Sequence, residues 1–179
     1  MKLNSLQELY LEQLKDLYDA EHQIIKALPE MIDAATSSEL KAALTEHLNV
    51  TKEQVTRLDQ VFSGLGEKAK GEKCKGMDGV LKEGSDLVDH VEDDSVRDAA
   101  IIASAQRVEH YEMAGYGTAR TYATLLEDEE AVSLLEQTLE EEKEADMKLT
   151  ELARNINDRA SSRTSGTATA GKSRTRRVA

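Results

Sequence analysis

Residues 99–123 read AAIIASAQRVEHYEMAGYGTARTYA, and their apolar spacing decides the fold. Ile102, Ala105, Glu109, Glu112, Tyr116, Ala119 and Ala123 recur three or four positions apart, as one face of a helix does, and Leu126 continues the stripe. Two acids stand on this face where a core helix carries leucine. A neighbouring stripe (Ile101, Ala105, Val108, Glu112, Gly115, Ala119) keeps Glu112 inward and moves Glu109 to the edge. Asp94-Ser95 supplies caps at the start of the helix. Gly115 and Gly117 each cost about 1 kcal/mol against Ala in a helix interior. Their presence predicts close helix packing or a local bulge beside the acids.

Similar stripes flank this segment. Tyr10, Leu14, Leu17, Glu21, Ile24, Leu28 and Met31 place a first helix over about 3–34, with Pro29 expected to kink or break its last turns. Thr36-Ser37-Ser38-Glu39 offers an N-cap and a capping-box acid to a second helix over about 38–63. Its seam is Leu40, Leu44, His47, Thr51, Gln54, Leu58 and Val61, and Gly64 and Gly66 end it. Residues 64–76 read as a polar loop, and 77–92 as a weaker helix in a segment long enough to cross from one end of a bundle to the other. The last long helix begins near Asp128 and ends near Asn157, with Leu135, Leu139, Glu142, Asp146, Leu149 and Ala153 inward. The fold class is therefore all-α: four long helices, with a crossover containing an extra short helix between the second and third.

Composition agrees. One Pro, one Phe and no Trp in 179 residues leave a helix-forming vocabulary of Ala, Leu, Glu, Lys and Gln. Aromatic content is too low for a base-stacking surface. No run of 18 apolar residues exists, so no membrane-spanning helix is expected. The acidic, amphipathic N-terminus does not read as a signal peptide. Cys74 stands alone, which fits a reducing cytoplasm.

The net charge of −12 is unevenly distributed. Residues 158–179 hold Arg159, Arg163, Lys172, Arg174, Arg176 and Arg177 against Asp158 alone. This tail lacks large apolar residues and reads as a disordered basic extension to a helical domain over 1–157. The body is strongly acidic and repels nucleic acid, so any such contact would be weak and confined to 158–179.

The midpoints of the four expected helices fall at about 19, 50, 110 and 143. The polar seam residues fall beside them, at Glu21, at His47, Thr51 and Gln54, at Glu109 and Glu112, and at Glu142 and Asp146. A midpoint keeps its height whether a helix runs up or down, so these groups should meet in one layer. Five carboxylates in a dry core cost several kcal/mol per ion. No Lys or Arg occupies a seam position to offset them, and two divalent cations would nearly balance their charge. Oxygen ligands with one imidazole suit Fe or Mn better than a structural Zn site. Taken singly, Thr51, Gln54 or His47 is more often a register device or a satisfied core group. Glu140, Glu141 and Glu144 read as a solvated face, and Tyr18, Tyr111 and Tyr116 as core residues with satisfied hydroxyls.

The segments LYDAEHQIIKALPEM (17–31), EHLNVTKEQVTRLDQVF (46–62), KCKGMDGVLKEG (73–84), 99–123 above and LLEQTLEEEKEADMKLTELA (134–153) resemble bacterial ferritin-like proteins of the YciE/YciF type over about residues 3–156. The resemblance implies a ferritin-like four-helix bundle with a long crossover. It also implies a cytoplasmic, dimeric stress-response protein whose biochemical activity is poorly defined. The wider ferritin and rubrerythrin group carries Glu on helix 1, E-x-x-H on helices 2 and 4, and one or two Glu on helix 3. Glu21, the pair Glu109 and Glu112, and Glu142 match it. Thr51 and Gln54 replace the helix 2 motif, and Ala145 stands where the helix 4 histidine would be, with Asp146 one residue further on. His47 is the candidate substitute.

Three readings stand at this point. In the first, two ions of Fe or Mn are held, with Glu21 and Asp146 as terminal ligands, Glu112 and Glu142 bridging or chelating, and Glu109 and His47 completing the shell; iron or peroxide handling would follow. In the second, the protein is a metal-free helical structural or interaction protein of the stress response. In the third, the basic tail associates with the nucleoid. Self-association is expected, because Leu9, Val50, Val55 and Ile101 exceed what one seam needs, although a wide core-facing stripe explains some of them; that the assembly is a homodimer is what the resemblance implies.

Overall fold

The computed structural model describes residues 3–167, and side-chain surroundings to residue 162. Among these residues there are five helices: α1 (Leu6–Ala34), α2 (Ser38–Gly64), α3 (Lys75–Asp89), α4 (Asp94–Leu125) and α5 (Glu129–Thr167). None is long and apolar enough to cross a membrane.

The caps follow local chemistry. Ser5 starts α1 by accepting a hydrogen bond from the Glu8 N–H at 3.1 Å. Ser37 does the same for α2, while its hydroxyl donates to Glu39. Asp93, one residue before the expected pair, caps α4. Asp128 accepts from the Ala131 N–H at the start of α5. Pro29 lies inside an unbroken α1, so it does not start a separate segment. It stands at an exposed position, where the backbone carbonyl one turn earlier can find water in place of the missing N–H.

Each long helix packs on two others, in the ring α1–α2–α5–α4, and α3 lies against α4 and α1. Two apolar clusters fill the interior. One holds Leu14, Leu17, Leu58, Phe62, Tyr116, Ala119 and Leu135. The other holds Ile24, Leu28, Leu40, Leu44, Met77, Ile101, Ile102 and Leu149. Helices α1 and α5 pass from the first cluster to the second along the chain, whereas α2 and α4 pass from the second to the first. Neighbours in the ring are therefore antiparallel. Because α2 and α4 run the same way, the connection between them must return along the molecule, and α3 is part of that return.

Side chains on α1 hold the return segment. Asp19 accepts from the Cys74 N–H at 2.8 Å, and Gln23 donates to the Cys74 carbonyl at 3.0 Å. Gly71 passes so close to Asp19 that a Cβ there would stand 2.8 Å from the Asp19 Cβ. Close packing also accounts for Gly115, where a Cβ would meet Leu17 at 2.7 Å, but Gly117 faces open space. Ile101, set aside above for a partner, is 1% exposed and packs beneath α3 with Met77.

Two features were not foreseen. The last helix runs ten residues beyond Asn157, because extending a formed helix past its buried anchor, Ile156, costs little. Residues 168–179 of the expected basic tail lie outside the described residues, and so does its reading as a nucleic-acid arm. The second feature is Asp98, 3% exposed on the first turns of α4. It accepts from the Thr36 N–H at 2.7 Å, the Thr36 hydroxyl at 2.7 Å and the Ser37 N–H at 2.9 Å. One buried carboxylate thus holds the α1–α2 turn on α4. Asp98→Ala leaves two backbone donors without partners and is expected to cost about 2–4 kcal/mol. Urea denaturation checks this, and a midpoint equal to the parent's would contradict it.

Candidate metal centre

The polar seam residues lie between the two apolar clusters, one group from each long helix. Glu21 is wholly buried on α1, Glu142 wholly buried on α5, and Glu109 and Glu112 are 2% and 1% exposed on α4. His47 on α2 is nearly enclosed, its side chain 11% exposed. One ligand atom from each of His47, Glu109, Glu112 and Glu142 lies within 4.8 Å of all the others. The imidazole Nε2 of His47 is 3.4 Å from Glu109 Oε1. Of the two stripes weighed for α4, neither alone is the buried one. Ile101, Ile102, Glu109 and Glu112 are all inside, because α1, α3 and α5 cover three sides of this helix.

The remaining expected residues occupy separate places. Glu21 feels the charge of Glu142, which raises it, and the adjoining Glu112 carboxyl, which lowers it, though it lies outside the group of four. Asp146 is half-buried at the margin. It accepts from the Gln106 amide at 3.0 Å and lies 3.5 Å from the His110 imidazole, so its carboxylate already has partners. Thr51 spends its hydroxyl on the His47 carbonyl, one helical turn back. The Gln54 amide donates to Glu142, and at 3.3 Å to Glu141.

One cation escaped the seam count. Arg57 is only 8% exposed. Its guanidinium grips Glu141 with two bonds of 2.6 Å and donates to the Thr138 hydroxyl at 2.9 Å. Glu141, read above as part of a solvated face with Glu140 and Glu144, is half-buried by this pairing, whereas the other two are exposed. Position 57 is one residue before the seam leucine, Leu58. A long side chain bends inward from there, and heptad counting does not register it.

Burial dominates the electrostatics. It pushes the Glu21 carboxyl well above the usual carboxylate range, helped by the charge of Glu142 and opposed by the Tyr116 hydroxyl, which donates to it, and by Arg57. Glu109 is raised by burial and then by Glu142, and Glu112 by burial and then by Glu21 and Glu142. Burial lowers His47, against the pull of Glu142 and Glu141. Tyr116 is held protonated by the same surroundings, as its donation to Glu21 requires. Several buried atoms have no hydrogen-bond partner: Glu21 Oε2, His47 Nε2, Glu109 Oε2, both oxygens of Glu112 and Glu142 Oε2. Leaving so many buried acceptors unmet is costly, and their convergence matches the donor set of a carboxylate-rich divalent ion site.

Comparison with known proteins fits this architecture. The family described as Domain of unknown function (DUF892) matches residues 5–161. Protein YciF of Escherichia coli K12 is 41% identical over 162 residues, covering 89% of this chain and 98% of its own length. The crystal structure of that E. coli stress protein superposes with a TM-score of 0.84 at 41% identity, over 87% of this chain and 99% of the other. YcfI of Rhodopseudomonas palustris, a candidate structural protein, gives 0.82 at 46% identity, over 83% and 95%. A two-domain protein from Anabaena variabilis, with DJ-1/ThiJ/PfpI-like and ferritin-like domains, gives 0.59 at 18% identity, over 98% of this chain and 42% of the other; that likeness concerns fold alone. The resemblance drawn from the sequence segments is borne out.

The shifts carry a pH dependence. Glu21, Glu109 and Glu112 keep protons in the folded state that the unfolded chain releases above about pH 4.3, so they lower stability as pH rises from there. The depressed His47 acts in the opposite sense, weakening the fold below about pH 6.5. Three carboxyls outweigh one imidazole. Chelator-treated protein should therefore melt about 5 °C or more lower at pH 8 than at pH 5.5, and Glu112→Gln should flatten that slope. A melting temperature that is constant or rises across this range would contradict the assignment.

Proposed function

The chain belongs to the DUF892 family, and from that premise and its buried donor set we propose a ferritin-like four-helix bundle of the stress response that binds two Fe or Mn ions in its core. One observation carries this reading: buried carboxylate and imidazole atoms without partners come from all four long helices, and ligand atoms of His47, Glu109, Glu112 and Glu142 converge within 4.8 Å of one another. His47, Glu109, Glu112 and Glu142 would hold the first ion. Glu21, with Glu112 and Glu142 shared, would hold the second, and Asp146 supports the margin through Gln106. Such ions, when bound, supply redox chemistry toward peroxide or oxygen.

The chain's own residues have definable parts in this. Protons on Glu21, Glu109 and Glu112 relieve the charge of the metal-free layer, so ion binding must release them. Tyr116 fixes one oxygen of Glu21, and Gln54 fixes one oxygen of Glu142, leaving the other oxygen of each available. Arg57 keeps Glu141 engaged and adds positive potential near Glu21. The absence of histidine at 54 and 145 points to binding rather than to rapid oxidation of iron. The E. coli relative's role as a stress protein, a cytoplasmic location and a homodimeric assembly belong to the same proposal.

A second reading is favoured by the same hydrogen bonds. Shared protons together with Arg57, Gln54 and Tyr116 could keep the layer neutral without an ion, as suits a structural protein. Metal analysis separates the two. Protein purified without chelator is expected to carry about two Fe or Mn per chain, and Glu112→Ala to lose most of that metal while keeping its helical content. Parent protein with only trace metal, and no stabilisation by added Mn²⁺, would favour the structural reading.

A further inference from the structure

A cavity of about 300 Å³ occupies the half of the molecule that contains the Ile24–Leu149 cluster. All five helices line it. Its walls are largely hydrocarbon, including Leu28, Leu44, Val80, Ile101 and Val108. His47 and Glu109 form part of the lining, so the space abuts the polar layer. Exposed residues among the lining, Glu30, Glu46, Glu144 and Lys148, mark where it reaches solvent.

Each property narrows the occupant. An apolar cavity half this size takes one benzene ring, so this one fits a molecule of about ten non-hydrogen atoms. The walls offer mainly dispersion contacts and removal of apolar surface from water, which selects an alkyl chain. Charge excludes anions. The rim is acidic, and its one lysine is already paired with Glu46. Among the described residues, the layer beyond turns no free cation toward the space, because Arg57 is engaged with Glu141, so a fatty-acid headgroup would find acidic groups at the rim and no counter-charge at the far end.

From this geometry we propose that the cavity is a binding site for an uncharged medium-chain alkyl compound, seated against the carboxylate layer. The site needs no ion for its chemistry, so it stands or falls separately from the metal reading.

The test uses 1-octanol and octanoate as probes, titrated calorimetrically into the full-length, chelator-treated chain. Octanol is expected to bind saturably at one per chain, with octanoate at least tenfold weaker at pH 8. Ala105→Leu and Ala145→Leu each place extra atoms in the space from a different helix. Either variant that keeps the parent's helical content and cooperative melting should lose octanol binding. Absence of saturable octanol binding, equal binding of octanoate, or full binding by a folded filled variant would each overturn the proposal.

Discussion

Moving a carboxylate out of water into a protein interior costs several kcal/mol unless a proton, a cation or hydrogen-bond donors meet it. This chain does so with Glu21, Glu109, Glu112 and Glu142 at one height, and adds an imidazole. Much of the interior can be understood as a response to that cost. Apolar clusters above and below bury the layer and lower its dielectric, which strengthens every charge interaction inside it. The donors that reach it come from different helices, Tyr116 from α4 and Gln54 from α2, while Arg57 of α2 holds Glu141 beside it. Removing water thus raises the affinity of these carboxyls for protons, and the helices supply the geometry.

The periphery uses the same chemistry in a satisfied form. Asp98 is as buried as the acids of the layer, yet it accepts three hydrogen bonds and holds the α1–α2 turn. Glu141 is paired twice over by Arg57. Asp146 has Gln106. Against these, Glu112 has two buried oxygens and a partner for neither. The contrast sits within one molecule, between acids whose oxygens are met by donors and acids whose oxygens are not.

Most of the fold was legible because helical periodicity is a strong signal over long stripes. The seams of α1, α2, α4 and α5 are buried almost position for position, and the midpoint argument brings Glu21, Glu109, Glu112 and Glu142 inside. What escaped depends on side-chain reach and on contacts between segments distant in sequence. Arg57 lies off the seam and bends in, which spacing cannot reveal. Asp98 on α4 holds the turn before α2, about sixty residues earlier in the chain, by accepting from Thr36 and Ser37. Pro29 is harmless because it faces water, and Ile101 is covered by α3 rather than by a second chain. Asp146 lies at the margin of the layer, where the Gln106 amide donates to it.

The central claim is that the buried acids form one ion-binding chamber. Anomalous diffraction at the Fe and Mn absorption edges, on crystals grown without chelator, tests it most directly. The account predicts peaks enclosed by Glu21, His47, Glu109, Glu112 and Glu142. Crystals with no anomalous peak in the layer, and with those carboxyls bonded only to one another and to water, would contradict it.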